Sequence, residues 1–157
     1  MLPLVLTVEL VPLIANTDKR AVAILRGHDD LTAGPEYDAI ANAPVGKRLR
    51  HKMGLWIGFV PDTKGKFHRF KNLDVKYKDC FVFIDLDEKI RLYGFTCHPT
   101  KNTNQRFELV VLTIHAIKKE NHTHESELNR VVMWQNHMAT KLAITRKYPD
   151  RKDEKKS

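Results

Sequence analysis

The chain has 157 residues, 42% hydrophobic and 29% charged, with 27 lysines and arginines against 19 acids and a formal charge of +8. That length suits one ordinary domain with a real core, and the balance excludes a disordered chain. No apolar run approaches the roughly 18 residues a membrane helix needs, so no membrane partner is expected. Two cysteines are too few for a disulfide scaffold.

Residues 146–157 hold six basic and three acidic residues and carry +3, leaving +5 in the body. A basic surface points to a polyanion partner, an acidic protein partner or both, and plain solubility explains it equally well. The reading is a single domain over residues 1–147 and a charged, disordered tail over 148–157.

Residues 4–13 are β-prone and apolar and read as an edge or second-layer strand. The run Leu2–Leu6 has no basic residue before it, Glu9 interrupts it, and no small-residue cleavage site follows. It is therefore expected to be a first strand rather than a signal peptide, which argues for a cytoplasmic protein. Thr17 suits the N-cap of a helix from Asp18, with Ala21, Val22, Ile24 and Leu25 buried and Gly27 as its stop. Residues 27–35 read as a loop, and a short helix around Glu36–Asn42 ends before Pro44.

Leu49, Met53, Trp56, Ile57 and Val60 then form one apolar stripe, the signature of a helix. Lys47, Arg48, Arg50, His51 and Lys52 crowd its first turns. Cations there oppose the helix dipole. A nearby anion would relieve that cost, although a solvated face is the simpler account. Pro61–Lys66 reads as a turn segment.

Beyond it, Phe81–Leu86, Ile90–Cys97 and Phe107–Ile114 read as three strands joined by turns at 87–89 and 98–104. Short connections favour an antiparallel meander. A tight turn at Glu88–Lys89 would set Cys80 opposite Cys97. A bond is then conceivable, but buried thiols are expected in a reducing cytosol. Arg91, Tyr93, Phe95 and Cys97 share one strand face, and Ile90 and Leu92 the other. A charge at Arg91 needs a solvated cleft or a carboxylate such as Glu108. A last helix begins near Glu125, with Leu128, Val131, Trp134, Met138 and Leu142 along one side. The expected class is α+β: helices packed on one face of a small antiparallel sheet of three to five strands, plus a C-terminal helix.

No P-loop, dinucleotide fingerprint or nucleophile elbow is present. Cys97, His98, His115, His122 and His124 lack CxxC or HxxxH spacing, so no metal and no cofactor are expected.

The segment Ile90-Arg91-Leu92-Tyr93-Gly94-Phe95, then apolar 107–117, then Lys118-Lys119 and a helix, resembles the RelE/ParE superfamily of bacterial toxins. Within it the likeness is to the phage-derived HigB-like branch. Asp79-Cys80-Phe81 looks like that family's entry to the sheet. The likeness covers residues 79–132 well and 1–78 loosely, and the chain is longer than typical members in 27–46 and the tail. The resemblance implies a RelE-like fold and the toxin of a type II toxin–antitoxin system. It implies a ribosome-dependent mRNA endonuclease that inhibits translation, restrained by an antitoxin, of helix-turn-helix type, from an adjacent gene. The implied mechanism is metal-independent: the RNA 2′-hydroxyl attacks the adjacent phosphorus, which requires a base, cations for the developing charge and an acid.

Carried over residue by residue, Arg91 falls on the family's phosphate-contacting strand arginine. Lys119 falls on its basic residue after the last strand, with Lys118 beside it. His122 and His124 stand where some members place a tyrosine and would move protons. Lys47, Arg48, Arg50 and Lys52 would add RNA-binding charge. The lysines that the family often carries on the strand of Val82 and Ile84 are absent. Two alternatives remain: a non-catalytic ParE-like inhibitor of a protein target such as DNA gyrase, and a non-toxic RNA- or protein-binding module.

Overall fold

The computed structural model describes residues 7–14, 17, 19–61, 67–70, 73–99, 107–118, 123 and 125–149. The elements run β1 (Glu9–Pro12), β2 (Arg20–Arg26), α1 (Ala33–Ile40), α2 (Pro44–Ile57) and β3 (Phe67–Arg69). A 3-10 turn at Val75–Tyr77 follows, then β4 (Cys80–Asp85), β5 (Ile90–Cys97), β6 (Glu108–Ile117), α3 (Glu125–Asn136) and α4 (Met138–Lys147). The class is α+β, as expected.

The sheet is larger than expected and not purely antiparallel. Six strands lie in the order β1-β2-β6-β5-β4-β3. β2 runs parallel to β6, and the other pairs are antiparallel. The strands that were not expected are β2 and β3. Residues 20–26, expected as a helix, are β2. Ala21 to Leu25 are all fully buried, with Val22 and Ile24 facing one core and Ala21, Ala23 and Leu25 the other. A short apolar run has no readable period, and pairing on both sides by β1 and β6 decides for a strand. Thr17 does cap, but its Oγ1 accepts from the amides of Lys19 and Arg20 in a turn that enters β2. Gly27 ends the strand at φ +113°, a left-handed conformation that suits glycine.

Helices cover both faces of the sheet rather than one. α1 and α2 lie over the core of Val22, Phe81, Phe83, Leu92 and Leu112. α3 and α4 lie over the core of Val82, Tyr93, Phe95, Val111 and Trp134. The closing helix is also divided. His137 takes extended backbone and its Nδ1 accepts from the Ala139 amide, starting α4 afresh. Leu128, Val131 and Trp134 of α3 are buried as expected, but Met138 and Leu142 beyond the break are exposed. In α2 the stripe holds for Leu49, Met53, Trp56 and Ile57. Val60 lies past the helix end and is exposed.

β1 is an edge strand, as expected. The two faces of β5 also divide as expected. The β4–β5 register differs from the expected one by two residues: Asp85 pairs with Ile90, so Cys80 faces Phe95 instead of Cys97. No disulfide joins the two thiols. Among the described residues no helix is long and apolar enough to cross a membrane. Residues 62–66, 100–106 and 150–157, where turns and a tail were expected, lie outside the described residues, as does the run Leu2–Leu6.

Candidate functional site

The C-terminal ends of β4 and β6 and the start of β5 meet at one end of the sheet, where Asp85 pairs with Ile90 and Ile90 with Ile117. One residue inward, Arg91 lies between Ile84 and Ala116 and faces α3. Only 5% of it is exposed. Its Nη1 donates to Thr123 Oγ1 at 3.1 Å and reaches Tyr93 Oη at 3.4 Å. Tyr93 Oη and Thr123 Oγ1 are 2.8 Å apart and share a hydrogen bond. Arg91 does not meet Glu108, which lies eight residues away along β6, about 26 Å at strand rise.

Lys118 follows β6. Its amide donates to the Lys89 carbonyl at 2.8 Å, which holds the strand end against the β4–β5 turn. Its side chain lies beneath α3, 9% exposed, in an ion pair with Glu127. The Tyr93 hydroxyl is raised above its ordinary pKa by burial. Hydrogen bonds with Thr123 and Arg91 oppose that shift, and the charge of Glu127 and a hydrogen bond to its carboxylate add to it. Arg91, Tyr93, Lys118, Thr123 and Glu127 thus form one polar network under the start of α3. Two of them, Arg91 and Lys118, are cations singled out from the sequence. Lys119, His122 and His124 lie outside the described residues.

The remaining predicted cations lie on the opposite face. Arg48 donates from Nε and Nη2 to the two carboxylate oxygens of Asp85 at 2.8 and 3.0 Å. Lys52, 8% exposed, donates to the Ile84 carbonyl at 2.7 Å and to Asp85 at 3.3 Å. Arg50 donates to Tyr37 Oη. Lys47 and His51 are exposed on the outside of α2. Arg48 and Lys52 are therefore engaged in fastening α2 to the end of β4, and Lys47 faces solvent.

Glu108 has other partners at the far end of the sheet. It forms ion pairs with Arg20, whose Nε lies 3.2 Å away, and with Arg69, whose Nη1 also donates to Thr96 Oγ1 at 3.0 Å. Arg20 stacks between Trp56 and Phe59, 4.4 and 3.8 Å from their ring centroids. Burial lowers the Arg20 pKa, Glu108 opposes that shift and Arg69 adds to it. A guanidinium sandwiched by two aromatic rings and paired with a buried carboxylate joins β2, β6 and the end of α2.

Asp85, Tyr93, Thr123 and Glu127 were not expected as site residues. Asp85 had a readable signal, a charge closing the apolar run Phe81-Val82-Phe83-Ile84. Glu127 had a weaker one, an acid in the first turn of a helix, where the dipole favours it. That it meets Lys118 depends on how α3 packs.

Compared with known protein families, curated proteins and solved structures, the chain finds no match in any of the three.

Proposed function

We propose that the protein is the toxin of a type II toxin–antitoxin pair, a ribosome-associated mRNA endonuclease in the cytoplasm that is restrained by a cognate antitoxin. One observation carries the reading: Arg91 and Lys118, the strand cation and the post-strand cation of the resemblance, belong to one network at one end of the sheet. The chain order supports it too. Over residues 20–136 the order β2, α1, α2, β3, the β4–β5–β6 meander and α3 is an α+β arrangement broadly compatible with a RelE-like fold.

The chemistry is an internal transfer. The 2′-oxygen bonds to the adjacent phosphorus and the bond to the 5′-oxygen breaks, leaving a 2′,3′-cyclic phosphate and a 5′-hydroxyl. A base takes the 2′-hydroxyl proton, and an acid returns one to the leaving oxygen. Arg91 and Lys118 would neutralise charge on the phosphorane oxygens, as would Lys119. His122 and His124 are the groups proposed for proton transfer, because an imidazole changes charge near neutral pH. Tyr93, with its pKa raised by burial, is better suited to donate a hydrogen bond than to act as a base.

A second reading has its own support. Arg91 is 5% exposed and Lys118 is ion-paired, so this state presents no open phosphate site there. A ParE-like inhibitor that grips a protein needs no such opening. Controlled expression in bacteria with primer extension on cellular mRNA separates the two. Specific cuts within translated codons, with growth restored by Lys119→Ala, are expected. Growth arrest with intact mRNA and DNA-damage signalling would favour the gyrase-directed inhibitor. No effect on growth would favour the non-toxic binding module.

A further inference from the structure

We propose that Glu127 is an internal anion that occupies the phosphate position at the end of β6, so that the first turn of α3 must lift before RNA is seated. This rests on the phosphate-binding reading of Arg91 and Lys118 and adds its regulation.

Lys118 is a lysine with a nearly buried side chain, and its charge is met by one carboxylate on the helix above it. Arg91 is closed over from the same side by Thr123, just before α3. Both cations are therefore covered from the same side, Arg91 by Thr123 and Lys118 by Glu127. A carboxylate over a lysine is the chemical mimic of a phosphate oxygen, and the two compete for the same ammonium.

The closure is also local. The body of α3 is anchored independently of this network. Leu128, Val131 and Trp134 are buried in the core. Tyr77 Oη donates to Asn129 Oδ1 at 2.6 Å, and Gln135 Nε2 donates to Asp79 Oδ2 at 3.0 Å. The first turn has weaker moorings: Glu125 and Ser126 are exposed. Glu127 Oε2 is buried without a hydrogen bond of good geometry among the described residues, although the carboxylate lies close to the Tyr93 hydroxyl. A buried carboxylate oxygen without a well-aligned donor is costly, and lifting the turn returns it to water. The start of α3 can therefore open while its last two turns stay packed.

The test uses the full chain, the isosteric variant Glu127→Gln, the single variant Lys118→Ala and the double variant Glu127→Gln/Lys118→Ala. The probe is a fluorescein-labelled 2′-O-methyl RNA 12-mer, which lacks the attacking hydroxyl. Affinity is read by anisotropy, and Lys118 exposure by its acetylation rate in mass spectrometry. For Glu127→Gln, Lys118 should acetylate faster and RNA should bind about tenfold more tightly. The double variant should lose that gain. Unchanged RNA affinity in Glu127→Gln, with the parent still binding RNA and Lys118→Ala weakening it, overturns the internal anion and leaves the phosphate-binding reading standing. If no form binds RNA although Lys118 has become reactive, both fall together. Circular dichroism checks folding, and Glu127→Ala provides a second route should the glutamine variant be unstable.

Discussion

Asp85 shows most directly how a single side chain is committed in this protein. It is 1% exposed at the end of β4 and accepts from Arg48, Lys52 and the Glu88 amide. Burial pushes its carboxyl up. The Arg48 hydrogen bonds, the Glu88 amide and the Lys52 charge outweigh that and bring it down to about 2. In the unfolded chain an aspartate titrates near about 3.9. A depressed folded pKa contributes stability that is fully present above the unfolded value. That stability is lost as the pH falls from about 4 through about 2. Asp85→Ala strands the buried Lys52 ammonium and should cost roughly 3 kcal/mol in urea denaturation at pH 7. The gap in Tm between the parent and Asp85→Asn should narrow steadily between about pH 4 and pH 2. A gap that stays constant across that range would mean that Asp85 is not ionised in the folded state. Nothing in the sequence distinguished these anchoring cations from a solvated basic face. The distinction depends on which carboxylate the α2 side chains reach.

Among the elements, the β5–β6 pair is the most exacting. The register shifts between Tyr93 and Gly94: Tyr93 faces Ile114 and Gly94 faces Leu112, with Thr113 as the extra residue. That bulge moves Ile114 and Ala116 onto the face shared with Tyr93. It also turns His115 towards α1, where Nε2 lies 3.7 Å from Glu36. Thr113 is fully buried, and its hydroxyl donates to the Tyr93 carbonyl at 3.3 Å. At Gly94 a Cβ would collide with the Val111 carbonyl and sit 2.8 Å from Leu112 Cα. Both obstacles are backbone and cannot rotate away. Gly94→Ala should therefore cost at least about 2 kcal/mol, far more than the tenths expected of a glycine-to-alanine change in an open strand. A chemical-denaturation midpoint equal to that of the parent would show that the two strands do not approach this closely. The glycine was visible in the segment Ile90-Arg91-Leu92-Tyr93-Gly94-Phe95 as part of a motif. Its physical task was not, because close approach is a property of two strands together.

At the level of the whole molecule, β6 is the axis. It is bonded to β2 on one side and β5 on the other, and its residues Leu109 to Ile114 are fully buried. Amides exposed only by global unfolding exchange last. In hydrogen–deuterium exchange, Val110, Val111 and Leu112 should be the slowest group, while the edge strands β1 and β3 exchange early. Equal protection of β1 and β6 would indicate a different strand order. The second half of this layout is legible in local sequence pattern. Apolar runs rich in aromatic and β-branched residues, separated by short turns, specify the β4–β5–β6 meander, and the 3–4 spacing of Leu49, Met53, Trp56 and Ile57 specifies α2. Those are local signals, readable from one stretch of chain. Folding alone reveals that residues 20–26 form a strand parallel to β6, that helices cover both faces, and that His137 divides the last helix. It also reveals that Arg48 and Lys52 serve Asp85 while Lys118 meets Glu127. Apart from the local cap at His137, the reason is common to these. A short buried run and a charged side chain take their state from the partner that reaches them, and those partners lie tens of residues away in sequence (Lys118 and Glu127 being the near exception).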